Sequence, residues 1–246
     1  MFKKIPNGTI EKICANDSTA DNKHFFFECH LPPVGYGINA STGQLEKTDV
    51  IKRDTRKSEQ YWQRTPLPND WVKLRREEDK RQAIDPDYFN TDLEKFREQE
   101  WKRRLCGLWF YINGEPTYIT GLHYFYLNWW KIDIGFPEYR DPDRKFFYVL
   151  QYAVEDERCG GLVEATKRRQ GKTYRGGCFL YEGISRTAET EGGIQSKTAT
   201  DAKAVVFQKA VVSPFKKLPD FFRPIRHFKR YHTYFGTTLC AYNSKR

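Results

Sequence analysis

The sequence predicts an α/β fold: a largely parallel sheet with flanking helices in the second half of the chain, preceded by an irregular α+β N-terminal region. Three observations carry this. Short apolar runs alternate with helical repeats between residues 140 and 218, and strand–helix–strand order makes neighbouring strands parallel because each helix returns the chain to the same edge. One basic loop joins such a run to a helix. Residues 1–84, in contrast, are dense in charge and turn residues, with Pro-rich punctuation at "HLPPVGYG" and "TPLPND" and little periodicity.

Taken in order, residues 1–84 read as an irregular arm with a few short elements, and residues 85–135 as a helix followed by an aromatic hairpin and helix region. Thr91 and Glu94 make a capping-box pattern, Leu93, Phe96, Trp101 and Leu105 carry the bulk of the helix, and Gly107 closes it. "LWFYINGEPTYIT" is a hairpin, since Asn113-Gly114 supplies the positive φ angles of a tight turn. "GLHYFYLNWWKI", residues 121–132, is a packed helix more than a base-stacking surface. Residues 136–246 then form the α/β core. Asp141 is an N-cap with Pro142 at N1, and apolar residues at 146, 147, 150, 153 and 154 mark a helix that stops at Gly160. "GLVEAT" is a short strand, "TYRGGCFLYEGIS" a helix in which Gly176 and Gly177 allow close packing, and "GGIQS" a second strand. "TDAKAVVFQKAVVSPFKKL" is a last helix, disturbed at Pro214.

Composition narrows the partner. Lys and Arg number 42 against 32 Asp and Glu, a net charge of +10, which favours a polyanion such as nucleic acid. The N-terminus lacks the apolar run of a signal peptide, and no stretch approaches the roughly 18 apolar residues of a membrane span, so a soluble cytosolic protein is expected. The six cysteines lack C-x-x-C spacing, which points to free thiols; Cys14 with Cys29-His30 is at most half a metal site.

The chemistry concentrates in "ATKRRQGKT", residues 165–173, which ends like the consensus G-x-x-x-x-G-K-[ST] but has Thr166 in place of its first glycine. Between a strand and a helix, such a loop aims backbone N–H groups at phosphate, the arrangement of a P-loop NTPase-type fold. Lys172 would meet the β- and γ-phosphates of ATP as a point charge, Thr173 would hold Mg²⁺ through its hydroxyl, and Gly171 would let the backbone come close. Lys167, Arg168 and Arg169 add three cations, one of which could neutralise charge on the transferring γ-phosphoryl group, and Gln170 completes the loop. The alternative is a basic surface turn that contains Gly-Lys-Thr by chance.

Three segments resemble the large terminase subunits of tailed bacteriophages, the ATP-driven motors that pump DNA into empty capsids. "KRRQGKT" is similar to that family's phosphate loop, which lacks the leading glycine and has a basic residue near its front, matched by Arg168. "YRDPDRKFF", residues 139–147, resembles the upstream nucleotide segment, so Tyr139 and Arg140 are implied nucleotide contacts, although Asp143 stands where the family reads adenine with Gln. "LPDFFRP", residues 218–224, resembles the turn that ends a later helix. The resemblance covers roughly residues 136–225 and implies an ATPase that uses ATP and Mg²⁺ to translocate double-stranded DNA. It further implies a homo-oligomeric ring on a portal protein, a small terminase subunit as partner, the host bacterial cytoplasm as location, and Arg168 or an arginine from a neighbouring subunit as the transition-state cation.

No Walker B segment follows the loop; "YAVEDE", residues 152–157, precedes it and reads as the tail of a helix. An acidic nuclease cluster is also missing. The expectation is therefore an N-terminal portion of a longer motor, with little turnover of its own. A helicase-like P-loop motor and a non-enzymatic basic DNA-binding or portal-docking module remain alternatives.

Overall fold

The computed structural model describes residues 8–15, 25–52, 62–155, 157, 159–165, 171–186 and 190–223. The chain divides into two units, Met1–Tyr124 with Tyr139–Leu162, and Phe125–Glu138 with Val163–Arg246.

The first unit holds the strands. β1 (Thr9–Ala15) and β2 (Phe25–Leu31) pair antiparallel with Thr9 opposite Leu31. β3 (Tyr36–Ile38) and β4 (Leu45–Lys47) form a second antiparallel pair. A third sheet has the order β5-β6-β7, from Val50–Ile51, Leu108–Ile112 and Glu115–Ile119. The β6–β7 hairpin turns at Asn113 (φ 52°) and Gly114 (φ 79°), the left-handed pair that matches the twist of the flanking strands and that the Asn-Gly signal predicts.

Side chains alternate across this hairpin, and both faces are covered. Trp109 and Tyr118 lie opposite one another in register and pack with Tyr148 and Cys29. Phe110 points the other way, with its ring edge-on to Trp62 and to Tyr139, each at 5.3 Å. The Tyr118 hydroxyl accepts from Ile38 N (3.2 Å) and donates to Cys106 O (2.6 Å), tying β3, β7 and the end of a helix together.

That helix, α2 (Thr91–Cys106), follows α1 (Trp71–Gln82). Its N-cap is Asn90 and not Thr91: the Asn90 side chain accepts from Asp92 N and Leu93 N, and Gly107 closes the other end. A buried carboxylate fastens α1 to α2. Glu78 of α1 receives Arg97 of α2 at 2.5 Å, Arg75 at 2.9 Å and the Asn90 amide at 3.0 Å. α3 (Gly121–Asn128) carries the aromatic block into the interior, and α4 (Asp141–Glu155) follows. The α4 turn starts one residue early as well, since the Arg140 carbonyl accepts from Asp143 N and Arg144 N.

In the second unit α5 (Lys172–Arg186) packs on a π-helical segment, Asp201–Val212, which changes to the α-helical α6 (Ser213–Lys217) at Pro214. The change of hydrogen-bond pattern falls where proline has no N–H to donate. A short 3₁₀ turn, Asp220–Phe222, places "LPDFF" as a helix stop: Leu218 and Phe222 are buried and the Tyr181 hydroxyl donates to Phe222 O at 2.6 Å. Phe125, Trp130, Tyr181, Phe215 and Phe222 form its aromatic core.

The largely parallel P-loop-type sheet expected of residues 136–246 is not formed. Among the described residues that stretch has no strand, the sheets have two, two and three strands, and the only parallel pairing is the two-residue contact of β5 with β6. "GLVEAT" is unpaired coil through residue 165, with Thr166 outside the described residues, and "GGIQS" is coil too. The physical reason is exposure. A strand of a parallel sheet is buried on both faces, whereas Val163 is 95 % exposed and Leu162 40 %.

Two predictions test this packing. A Cβ on Gly177 would sit 2.3 Å from Ala210 O, while one on Gly176 meets nothing within 4 Å. Gly177→Ala should therefore lower stability by about 1–3 kcal/mol and Gly176→Ala raise it by roughly 0.5–1 kcal/mol, read from urea midpoints. For Glu78, burial favours the neutral acid, but the hydrogen bonds from Arg97 and Asn90 and the charges of Arg97 and Arg75 outweigh it and hold the carboxyl below its ordinary 4.5. Its contribution is then full above pH 4.5 and is lost as pH falls through the lower folded-state value. Glu78→Gln should cost about 3 kcal/mol at neutral pH, and the gap to the parent protein should narrow steadily below pH 4.5.

Candidate functional site

Gly171 turns the chain into α5. Its φ of +75° is a left-handed conformation that side chains resist, and its carbonyl accepts from Tyr174 N (3.1 Å) and Arg175 N (3.2 Å). Helix geometry then leaves the amides of Lys172 and Thr173 without intrahelical acceptors, at the end of α5 where the helix dipole is positive. The Lys172 side chain is exposed and Thr173 is half-buried. Backbone donors, a cation and a hydroxyl are thus gathered at one helix start, which is the chemistry that receives a phosphate.

Two carboxylates brace this start. Arg175 is buried and its guanidinium donates to Glu164, which fastens the chain before the loop to the first turn of the helix after it. Tyr174 donates its phenol proton to Asp133, in the tight turn closed by the Ile132–Gly135 bridge. Burial, then the Asp133 hydrogen bond and charge, push the Tyr174 phenol up to about 12, so it remains a neutral donor at physiological pH. Neither carboxylate belongs to the phosphate-loop motif. Glu164 sits in a run that reads as an apolar strand, and Asp133 is remote in sequence, so no periodicity or spacing points to either.

Of the other residues expected at the site, Lys167, Arg168, Arg169 and Gln170 lie outside the described residues. Tyr139 and Arg140 belong to the first unit, Gly171, Lys172 and Thr173 to the second. The Tyr139 ring is buried, edge-on to Phe110 and stacked on His123 at 5.9 Å. Arg140 grips the buried Asp143 carboxylate through two nitrogens, at 2.9 and 2.7 Å. Asp143 therefore meets an arginine of its own helix end.

Among the described residues no three His, Cys, Asp or Glu side chains gather as a metal site. One threonine hydroxyl suits Mg²⁺ only where phosphate and water supply most of its six ligands, the usual situation for Mg²⁺ beside a nucleotide. Cys29, Cys106, Cys159 and Cys178 are free thiols. Among the described residues no helix is long and apolar enough to cross a membrane. No protein-family model, curated protein or solved structure matches the chain.

The bracing is testable apart from any ligand. Glu164→Gln removes the charge that compensates a buried guanidinium and should destabilise the protein by about 1–3 kcal/mol in urea titrations. An unchanged midpoint would show that Glu164 does not hold the helix start.

Proposed function

We propose that the start of α5 binds the phosphate chain of ATP, and that the chain serves as the ATP-binding part of a DNA-packaging motor of the large-terminase type. The observation that carries the nucleotide reading is Gly171-Lys172-Thr173 at a helix N-terminus, with Gly171 at positive φ and Lys172 exposed. Motif and local conformation agree there, although the strand that the motif would lead one to expect is absent.

In this reading the Lys172 and Thr173 amides bind phosphate oxygens, and the Lys172 ammonium takes the β- and γ-phosphates, each bond charge-assisted. Thr173 offers its hydroxyl to Mg²⁺, whose charge would offset that of the phosphates. Arg168 is proposed as the cation facing the γ-phosphoryl group. The net charge of +10 suits double-stranded DNA as the moving partner. The portal protein, the small terminase subunit and a ring of identical subunits belong to the same proposal, and their support is the sequence likeness of residues 136–225 alone.

Calorimetric titration with ATP and Mg²⁺ tests the reading. Lys172→Ala is expected to weaken binding by about tenfold or more, the effect of deleting one charge-assisted contact of roughly 1.5–3 kcal/mol, with the thermal midpoint unchanged because Lys172 is exposed. Equal affinities would overturn the proposal and leave a basic DNA-binding module whose Gly-Lys-Thr is incidental.

A further inference from the structure

The first unit contains a pocket of about 300 Å³, formed by β5, the start of β6 and the segment 62–66. Its chemistry is divided. Ile51, Trp62 and Phe110 supply an apolar, aromatic side, and Lys52, Gln63 and Arg64 supply two cations and an amide. We propose that this pocket is a binding site for a nucleoside phosphate, with the base against the aromatic side and the phosphate between Lys52 and Arg64.

Four features support that class of ligand. The volume lies at the lower end of the range for small-molecule sites, enough for one nucleotide and too little for a folded partner's loop. The aromatic side is rigid: Phe110 is central in a three-stranded sheet, and Trp62 is fixed edge-on to it at 5.3 Å and to Tyr124 at 6.1 Å. Behind it the Tyr124 hydroxyl donates to Glu100 at 2.5 Å, and Glu100 receives Arg103 at 2.6 Å. The cations are placed to act at short range, since Lys52 is exposed and Arg64 half-buried, where a charge is less screened than in open water. Burial lowers the pKa of Arg64, and an anion bound beside it would oppose that shift. A bare anion would use only the charged side and an apolar ligand only the aromatic one, whereas a nucleoside phosphate uses both; the Gln63 amide, donor and acceptor at once, fits a base edge.

This site shares no residue with Gly171-Lys172-Thr173, and its test is independent of the ATP reading. The probe is 2-aminopurine deoxyriboside 5′-monophosphate, whose fluorescence is quenched on stacking against an aromatic ring. Quenching should saturate in the parent protein, weaken about tenfold in Arg64→Ala and in Lys52→Glu, and persist in Lys172→Ala. Because Lys52 is exposed, its reversal carries the test even if Arg64→Ala fails to fold. A second arm places the same base within an oligothymidylate. Tighter binding there identifies the source of the nucleotide as a strand, and binding no tighter than the monophosphate identifies it as free nucleotide. The proposal is overturned if the nucleoside without phosphate binds equally well, if both pocket variants bind like the parent, or if Lys172→Ala alone abolishes the quenching.

Discussion

The ion pair between Glu164 and Arg175 is the constraint on which the phosphate-binding geometry rests. In a strand–loop–helix unit, sheet hydrogen bonds fix where the loop begins and the helix fixes where it ends. Here the residues before the loop are coil, and one carboxylate holds them to the first turn of α5. Arg175 is buried, so its charge must be compensated by a nearby group, and Glu164 is the group that reaches it. Compensation and positioning are one interaction. The Tyr174–Asp133 hydrogen bond secures the same turn from another segment, and Gly177, close against Ala210, fixes the helix from its packed side.

The aromatic residues follow a similar economy of position. A chain with 16 % Phe, Tyr and Trp could have offered stacking platforms to nucleic acid. The structure spends most of them inside. Trp109 and Tyr118 cover one face of the hairpin, Phe110 with Trp62 and Tyr139 the other, and Phe125, Trp130, Tyr181 and Phe222 close the second unit. Tyrosines in these cores keep their hydroxyls satisfied by backbone carbonyls, as Tyr118 does at Cys106 and Tyr181 at Phe222. The rings therefore set the distances between elements, while the polar tips join backbone segments that lack sheet partners.

What could be read from the sequence was what local chemistry decides. Asn113-Gly114 specifies its turn through the φ angles of two residues, and the hairpin is where it was expected. The helices α2, α4 and α5 follow from periodicity and stop signals, with the first two capped one residue earlier than the pattern suggests, because Asn90 caps as well as Thr91 does and the Arg140 carbonyl can take the first helical bonds. The failures are the strands. A short apolar run such as Leu162-Val163 has no partner written beside it, and whether it joins a sheet depends on chain far away in sequence. The same limit hid the seven-residue pairing of β1 with β2 in a region that reads as irregular, and it hid Glu164 and Asp133 from any motif.

Loss of the expected strand separates two properties that a phosphate loop usually joins. Binding a phosphate requires donors, and these come from the helix start, the positive-φ glycine and the lysine, all of which survive without a sheet. Turnover requires in addition a carboxylate able to orient an attacking water. The carboxylates placed beside the first turn of α5 are already committed, Glu164 to Arg175 and Asp133 to Tyr174. Moving either to a water would expose a buried guanidinium or leave a buried phenol without its acceptor, a cost comparable to the stability of the turn itself. On these grounds the described residues favour holding a nucleotide over cleaving it, and a water-orienting carboxylate for hydrolysis would have to come from another part of the motor.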